Sequence, residues 1–285
     1  MAIIMDGKAL AEKLKNEIRA EVKNLTVKPG LAVIIVGSDP ASKIYVNGKI
    51  KDCLQCGIES FEFALPETTT QDEILQLIRE LNSRHDIHGI ICQLPLPKGL
   101  DPHIITQAIL PQKDVDCFHY ENLGRTVSGN YGFLPCTPSG VMELLRHYNI
   151  ELKGKQAVVI NRSNIVGKPQ AMLLINAHAT VTICHSLTQN LSKITSEADI
   201  LITAVGKKNF ITKNMVKTGS VVIDVALVHG SDGKLYGDVD FESVCDVVSH
   251  ITPVPGGVGP MTRAMLMRNT LISAKSYLYN NIIKL

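Results

Sequence analysis

The chain has 285 residues, 45% hydrophobic and 20% charged, with a formal net charge of +2 and no Trp. That length fits two domains or one large one, and so slight a charge gives no reason to expect nucleic acid or a membrane surface as partner. Seven Cys form no regular framework, no apolar run reaches the ~20 residues of a spanning helix, and Asp6 and Lys8 interrupt any signal-like core. A cytoplasmic protein acting on small molecules is expected.

Apolar residues at Leu10, Leu14, Ile18 and Val22 predict a helix over Lys8 to Leu25, and Leu31 to Val36 reads as a strand. A helix follows through Tyr45 and Lys49 and ends at Gly57. The spacing Tyr-x-x-x-Lys puts a phenol and an amine on one helical face. That pair is an acid/base device in short-chain dehydrogenases, where it follows a nucleotide-binding unit. Nothing before residue 45 could be one, so the pair is either part of another enzyme or an exposed helix face. Cys53 and Cys56 on the same helix are expected to face a core. A strand over Ser60 to Ala64, a capping box Thr70-Gln71-Asp72-Glu73 opening a helix to Asn82, and a buried strand Gly89 to Leu94 complete a parallel α/β pattern.

From Ile109 to Pro138 no period is sustained, and the stretch is expected to be loops between domains. Asp114, Asp116 and His119 could hold a metal by residue type, but neighbouring loop acids are more often solvated, and none is expected. A helix from Pro138 and Ser139 through Tyr148 leads to a second unit with strands Ala157–Ile160, Thr180–Cys184, Ile200–Ala204 and Val221–Val225. Helix is expected again from Met261 onward.

The turn Asn161-Arg162-Ser163-Asn164-Ile165-Val166-Gly167 joins the first of these strands to a helix opened by Lys168-Pro169, a place where backbone N–H groups favour phosphate. Asn161, in a glycine-like position, is expected to accept positive φ. The second strand ends in Cys184-His185-Ser186, with no acid to hold a ribose 2′-hydroxyl. Ser186 and Arg162 instead suit a 2′-phosphate, which predicts NADP over NAD.

Five strings fit one family together: YVNGK at 45–49, CQLPLP at 92–97, PQKDVDCFH at 111–119, NRSNIVGKP at 161–169 and ITPVPGGVGPMTRAML at 251–266. The chain resembles the bifunctional methylenetetrahydrofolate dehydrogenase/cyclohydrolases along essentially its whole length. The resemblance implies an α/β fold of two domains with a cleft between them: an αβα substrate domain (1–137, with helix 265–285 packing back on it) and a Rossmann-like NADP-binding domain (138–264). It implies a reduced folate as substrate, NADP as cofactor and a homodimer. The implied reactions are oxidation of 5,10-methylenetetrahydrofolate and hydrolysis of the methenyl product to 10-formyltetrahydrofolate.

Carried over residue by residue, Lys49 becomes the acid/base, Gln93 its hydrogen-bonding partner, Tyr45 a packing surface for the aminobenzoyl ring and Asp116 the ligand of the pterin edge. Pro255, Gly256 and Gly259 would let backbone approach the substrate. Thr137, Asn161, Arg162, Ser163, Ile165, Val166, Ser186 and Leu227 would line the cofactor. An exposed lysine is a poor base near neutral pH, so the role asks its surroundings to favour the neutral amine. The chain departs from the family pattern at Asn161 and Cys117, where glycine is usual, and at Ala226-Leu227-Val228, where Gly-Ile-Asn is usual. Alternatives from other classes are a short-chain dehydrogenase, a binding protein without turnover, and a dehydrogenase lacking hydrolysis.

Overall fold

The computed structural model describes residues 2–230 and 232–282. In chain order the elements are β1 (Ile3–Ile4), α1 (Gly7–Val22), β2 (Gly30–Val36), α2 (Pro40–Cys56), β3 (Glu59–Leu65), α3 (Gln71–Ser83) and β4 (Gly89–Cys92). Next come α4 (Pro102–Gln107), α5 (Tyr120–Ser128), α6 (Cys136–His147), β5 (Gln156–Ile160), α7 (Gly167–Asn176), β6 (Thr180–Cys184), α8 (Leu191–Thr195) and β7 (Ile200–Thr203). The last are β8 (Val221–Asp224), β9 (Val228–His229), β10 (Leu235–Tyr236), α9 (Phe241–Cys245), β11 (His250–Ile251) and α10 (Val258–Ile282). They form two compact units, one of Glu12–Cys136 with Arg263–Leu285, the other of Met1–Ala11 with Thr137–Thr262.

The first unit is built on a parallel sheet of order β3-β2-β4. β2 reads GLAVIIV without alternation and is buried along its length, as a central strand covered on both faces must be. Ile74, Ile78 and Leu81 of α3 pack on Ala32, Ile34, Ile90 and Cys92. The capping box is present: the Thr70 side chain accepts from Glu73 N while the Glu73 carboxylate accepts from Thr70 N. Asp39 caps α2, Pro40 opens it, and Gly57 ends it at φ 78°, a conformation that glycine adopts without strain.

The stretch expected to be irregular contains α5, and α4 stands just before it. No apolar period announces α5, because its buried positions include the polar Asn122 and Thr126. Asn122 Nδ2 donates to Pro111 O (2.9 Å) and to Asp114 Oδ2 (2.9 Å), so hydrogen bonds dock this helix where a sequence reading looks for leucines. Buried polar residues also anchor α10. Asn269 Nδ2 donates to Val115 O and Leu134 O, both at 2.8 Å, and Ser273 Oγ to His88 O at 2.6 Å.

The second unit carries a six-stranded parallel sheet, β1-β11-β8-β7-β5-β6. Two-residue β1 and β11 are too short to register as strands in the sequence, yet Ile3 pairs with His250 and draws the amino terminus into this unit. From β5 the chain adds β6 on one side, then crosses to place β7 on the other. This reversal is a topological switch point, and in open parallel sheets ligands bind above it, at the carboxyl ends of the two strands.

Candidate active site

In the first unit, the end of β4 and one face of α2 meet. Gln93 follows β4, its N–H extending the ladder to Ile34 O at 2.8 Å. Gln93 Nε2 donates to Leu94 O at 2.6 Å, which leaves Oε1 to accept from Lys49 Nζ at 3.1 Å. The backbone thus fixes the orientation of the amide that holds the amine. Tyr45, one turn before Lys49, is 42% exposed, and partial burial raises its phenol above the ordinary value.

Arg263 lies over this face of α2. A Cβ on Gly48 would stand 2.2 Å from Arg263 Nη1, so the absent side chain is what admits the guanidinium. Arg263 Nε faces Asp52 Oδ2 at 3.2 Å in an ion pair, and Lys15 Nζ binds the other Asp52 oxygen at 3.0 Å. Sequence reading missed Arg263, Asp52 and Lys15; Asp52 stands seven residues after Tyr45 on the same face, but its partners come from elements far away in the chain. Cys53 and Cys56 are fully buried, and burial pushes both thiols up to about 12, so they stay protonated and serve as packing.

Asp114 and Asp116 have different tasks. Asp114 is 1% exposed, and its carboxylate accepts from Phe118 N, His119 N and Asn122 Nδ2. Burial raises its carboxyl against those bonds. It closes the loop and leaves half-buried Asp116 at its turn. Ile90 N donates to Lys113 O at 2.8 Å, stitching this loop to the strand that ends in Gln93. The buried Cys136 thiol is raised by burial first and then by Asp116, while Lys49 acts on it in the opposite sense, so both groups stand around one residue. Cys117 has φ 61°, which explains the glycine usual at this position.

In the second unit, the turn after β5 departs from the expectation of a glycine-like Asn161. Asn161 is not among the residues with positive φ. Its side chain folds the turn instead: Oδ1 accepts from Ser163 N (2.7 Å) and Gly167 N (3.2 Å), while Nδ2 donates to Ala204 O (2.6 Å). Ser163 Oγ accepts from Val166 N at 3.1 Å. Several amides expected to be free for phosphate are therefore taken within the turn. Gly167 is required sterically, because a Cβ would lie 2.0 Å from Asn161 O. Arg162 and Ile165 are exposed, Val166 is half-buried, and exposed Ser186 follows the neighbouring strand, since Ile160 pairs with Cys184. Leu227, 37% exposed, follows β8.

Thr137 is further from that edge in its bonding. Its hydroxyl lies 3.0 Å from that of Thr262, pairing α6 with α10. Pro255 is exposed, and Gly256 takes φ 108°, which only glycine adopts freely. Lys8 N donates to Gly256 O at 2.8 Å, tying this loop to α1. Gly259 meets nothing within 4 Å where a Cβ would stand, so no packing within the chain demands glycine there.

Residues 5–116 match the catalytic domain of tetrahydrofolate dehydrogenase/cyclohydrolase, and residues 135–278 match the NAD(P)-binding domain of the same family. Bifunctional protein FolD of Acetivibrio thermocellus is 54% identical over 277 residues, covering 96% of this chain and 97% of the relative. A crystal structure of the bifunctional enzyme FolD, a methylenetetrahydrofolate dehydrogenase/cyclohydrolase from Campylobacter jejuni, superposes with a TM-score of 0.96. It is 49% identical, covering 97% of this chain and 99% of that one. The Trypanosoma brucei N5,N10-methylenetetrahydrofolate dehydrogenase-cyclohydrolase, solved with NADP cofactor and an inhibitor, gives 0.93 at 37% identity, covering 97% and 98%.

Proposed function

This chain belongs to the tetrahydrofolate dehydrogenase/cyclohydrolase family, and from that premise we propose that it performs both reactions with the residues placed above. In the first, the methylene bridge of 5,10-methylenetetrahydrofolate gives a hydride to NADP and becomes the methenyl cation. The step transfers no proton to a protein base, so positioning governs it. In the second, water adds to the methenyl cation and loses one proton, and the bond from carbon to N5 then breaks as that nitrogen gains a proton and the remaining hydroxyl proton leaves to solvent with formation of the formyl C=O. The product is 10-formyltetrahydrofolate.

The observation that carries this reading is the 3.1 Å bond from Lys49 Nζ to a Gln93 amide whose orientation the backbone sets. Held so, the neutral amine takes the proton of the attacking water and the resulting ammonium returns it to the ring nitrogen. Tyr45 packs its ring on the aminobenzoyl group. Asp116 accepts from the amino-pyrimidine edge of the pterin, with Pro255, Gly256 and Gly259 as backbone neighbours of the substrate. On the cofactor side, Asn161, Ser163, Ile165, Val166, Leu227 and Thr137 line the dinucleotide. Arg162 and Ser186 take the 2′-phosphate, supported by their position on neighbouring strand ends without a competing acid. In this reading the folate domain is the part of 1–137 that follows residue 11, the NADP domain is 138–264 joined by residues 1–11, and the working protein is a cytoplasmic homodimer.

One experiment tests it: supply methylenetetrahydrofolate with NADP or NAD and follow methenyl formation and its subsequent loss. Both steps are expected, with kcat/KM favouring NADP. Methenyl accumulation without loss would remove the hydrolytic role, and a preference for NAD would overturn the roles of Arg162 and Ser186.

A further inference from the structure

The switch point of the six-stranded sheet lies between β5 and β7, so the crevice above it is walled by the turn 161–167 and by the loop after β7. That loop has an unusual anchor. Asp238, fully buried, accepts from Val205 N (2.6 Å), Gly206 N (2.7 Å), Lys207 N (2.7 Å) and Thr203 Oγ1 (2.6 Å). Three successive N–H groups, with Gly206 at φ 80°, form a concave nest of the kind that binds phosphate, here filled by the chain's own carboxylate.

Asp224 stands beside Asp238. It ends β8 and accepts from Ala226 N (3.0 Å) and Val239 N (2.8 Å). A Cβ on Gly237 would lie 2.0 Å from Asp224 Oδ2, so the two segments close tightly. On the other side, Asn161 Nδ2 donates to Ala204 O, joining the loop to the turn after β5. A continuous chain of hydrogen bonds therefore runs along the carboxyl edge from the turn at 161–167, through 204–207 and Asp238, to Asp224 and Ala226. It links the ends of β5, β7 and β8, the first two of which border the switch-point crevice.

We propose that Asp238 is a positioning residue for the dinucleotide, an internal carboxylate that fixes the shape of the loop 204–207, closes its amides to phosphate and so sets one wall of the crevice in which the dinucleotide lies. The inference rests on reading this unit as the NADP domain. Neutralising Asp238 leaves donors in the nest that a neutral acceptor cannot satisfy, and the loop loses its fixed shape. The effect falls on cofactor binding. The hydrolytic step uses no NADP and relies on Lys49 and Gln93 in the other unit, so it reports the integrity of the fold.

The test measures NADPH affinity by fluorescence titration, and methenyl hydrolysis in parallel, for wild type, Asp238→Asn and Thr203→Val. Each variant is expected to bind NADPH about tenfold or more weakly, the effect of a charge-assisted hydrogen bond, with hydrolysis within twofold of wild type. Unchanged affinity in Thr203→Val and in a folded Asp238→Asn would overturn the inference. If Asp238→Asn loses hydrolysis as well, Thr203→Val alone decides, since it keeps the side-chain shape and removes one donor. Failure of wild type to bind NADPH would instead overturn the reading of the unit as a nucleotide domain.

Discussion

Lys49 and Gln93 show what separates a motif from a site. Their bond depends on Gln93 being turned by Leu94 O, so an amide of similar length in place of the Lys49 amine changes the proton chemistry without emptying the space. Lys49→Gln is expected to abolish methenyl hydrolysis while retaining a measurable share of dehydrogenase activity. Hydrolysis within a few fold of wild type would reject Lys49 as the proton carrier. Asp116→Asn should raise the folate KM in both reactions, because the pterin edge is bound in each; an unchanged KM in both would remove Asp116 from the substrate site. Cys117 holds φ 61° at a fully buried position. Cys117→Gly relieves the left-handed strain and loses a small buried side chain, so stability should change by no more than about 1 kcal/mol. Cys117→Val adds a β-branch to that conformation and should destabilise clearly more, as urea denaturation would read.

At the scale of elements, α10 acts on the first unit's site at two places. Arg263 seats on α2 over Gly48, and Asn269 with Ser273 holds the segment 112–115 that leads to Asp116. Asn269→Ala leaves Val115 O and Leu134 O without that donor, at a cost of about 1–3 kcal/mol. It should also raise the folate KM more than it lowers kcat, since it loosens the loop and leaves Lys49 in place. A variant destabilised to that extent with an unchanged KM would separate the helix from the site. The polar docking of α5 and α10 also accounts for the stretch a sequence reading takes as loops. Asn122, Thr126, Asn269 and Ser273 are buried through hydrogen bonds, and hydrophobic periodicity carries no trace of such contacts. By contrast α1, α3 and β2 were legible, because leucines and isoleucines at helical spacing or in an unbroken run bury apolar surface at those positions.

For the molecule as a whole, the buried carboxylates of the second unit link folding to pH. Burial, with Asp238 adding to it, pushes the Asp224 carboxyl up to about 6 against the backbone donors that oppose the shift. An aspartate in the unfolded chain titrates near ~3.9, so the folded state holds this proton more tightly. The stabilisation from protonated Asp224 is complete below about pH 4 and is lost as pH rises through about 6, amounting to about 3 kcal/mol at most. Asp224→Asn should therefore gain stability relative to wild type as pH rises from 4 to 7. A stability difference between the two proteins that stays constant over that range would show that Asp224 does not titrate there.

Sequence by itself determined the α/β class and the order of a catalytic half before a nucleotide half, because these follow from local periodicity and from short strings shared with the family, and the same strings singled out Tyr45, Lys49, Gln93 and Asp116 as candidates. Tertiary structure alone decided which way the Gln93 amide faces, that Arg263 occupies the space over Gly48, and that Asn161 works through its side chain and not through positive φ. It also decided that Asp238 fills the nest after β7, 35 residues away from Thr203. The Lys49–Gln93, Gly48–Arg263, Asn161–Ala204 and Thr203–Asp238 contacts all join segments distant in the chain. Hydrogen-bond direction and the filling of a missing side chain's volume exist only once those segments meet.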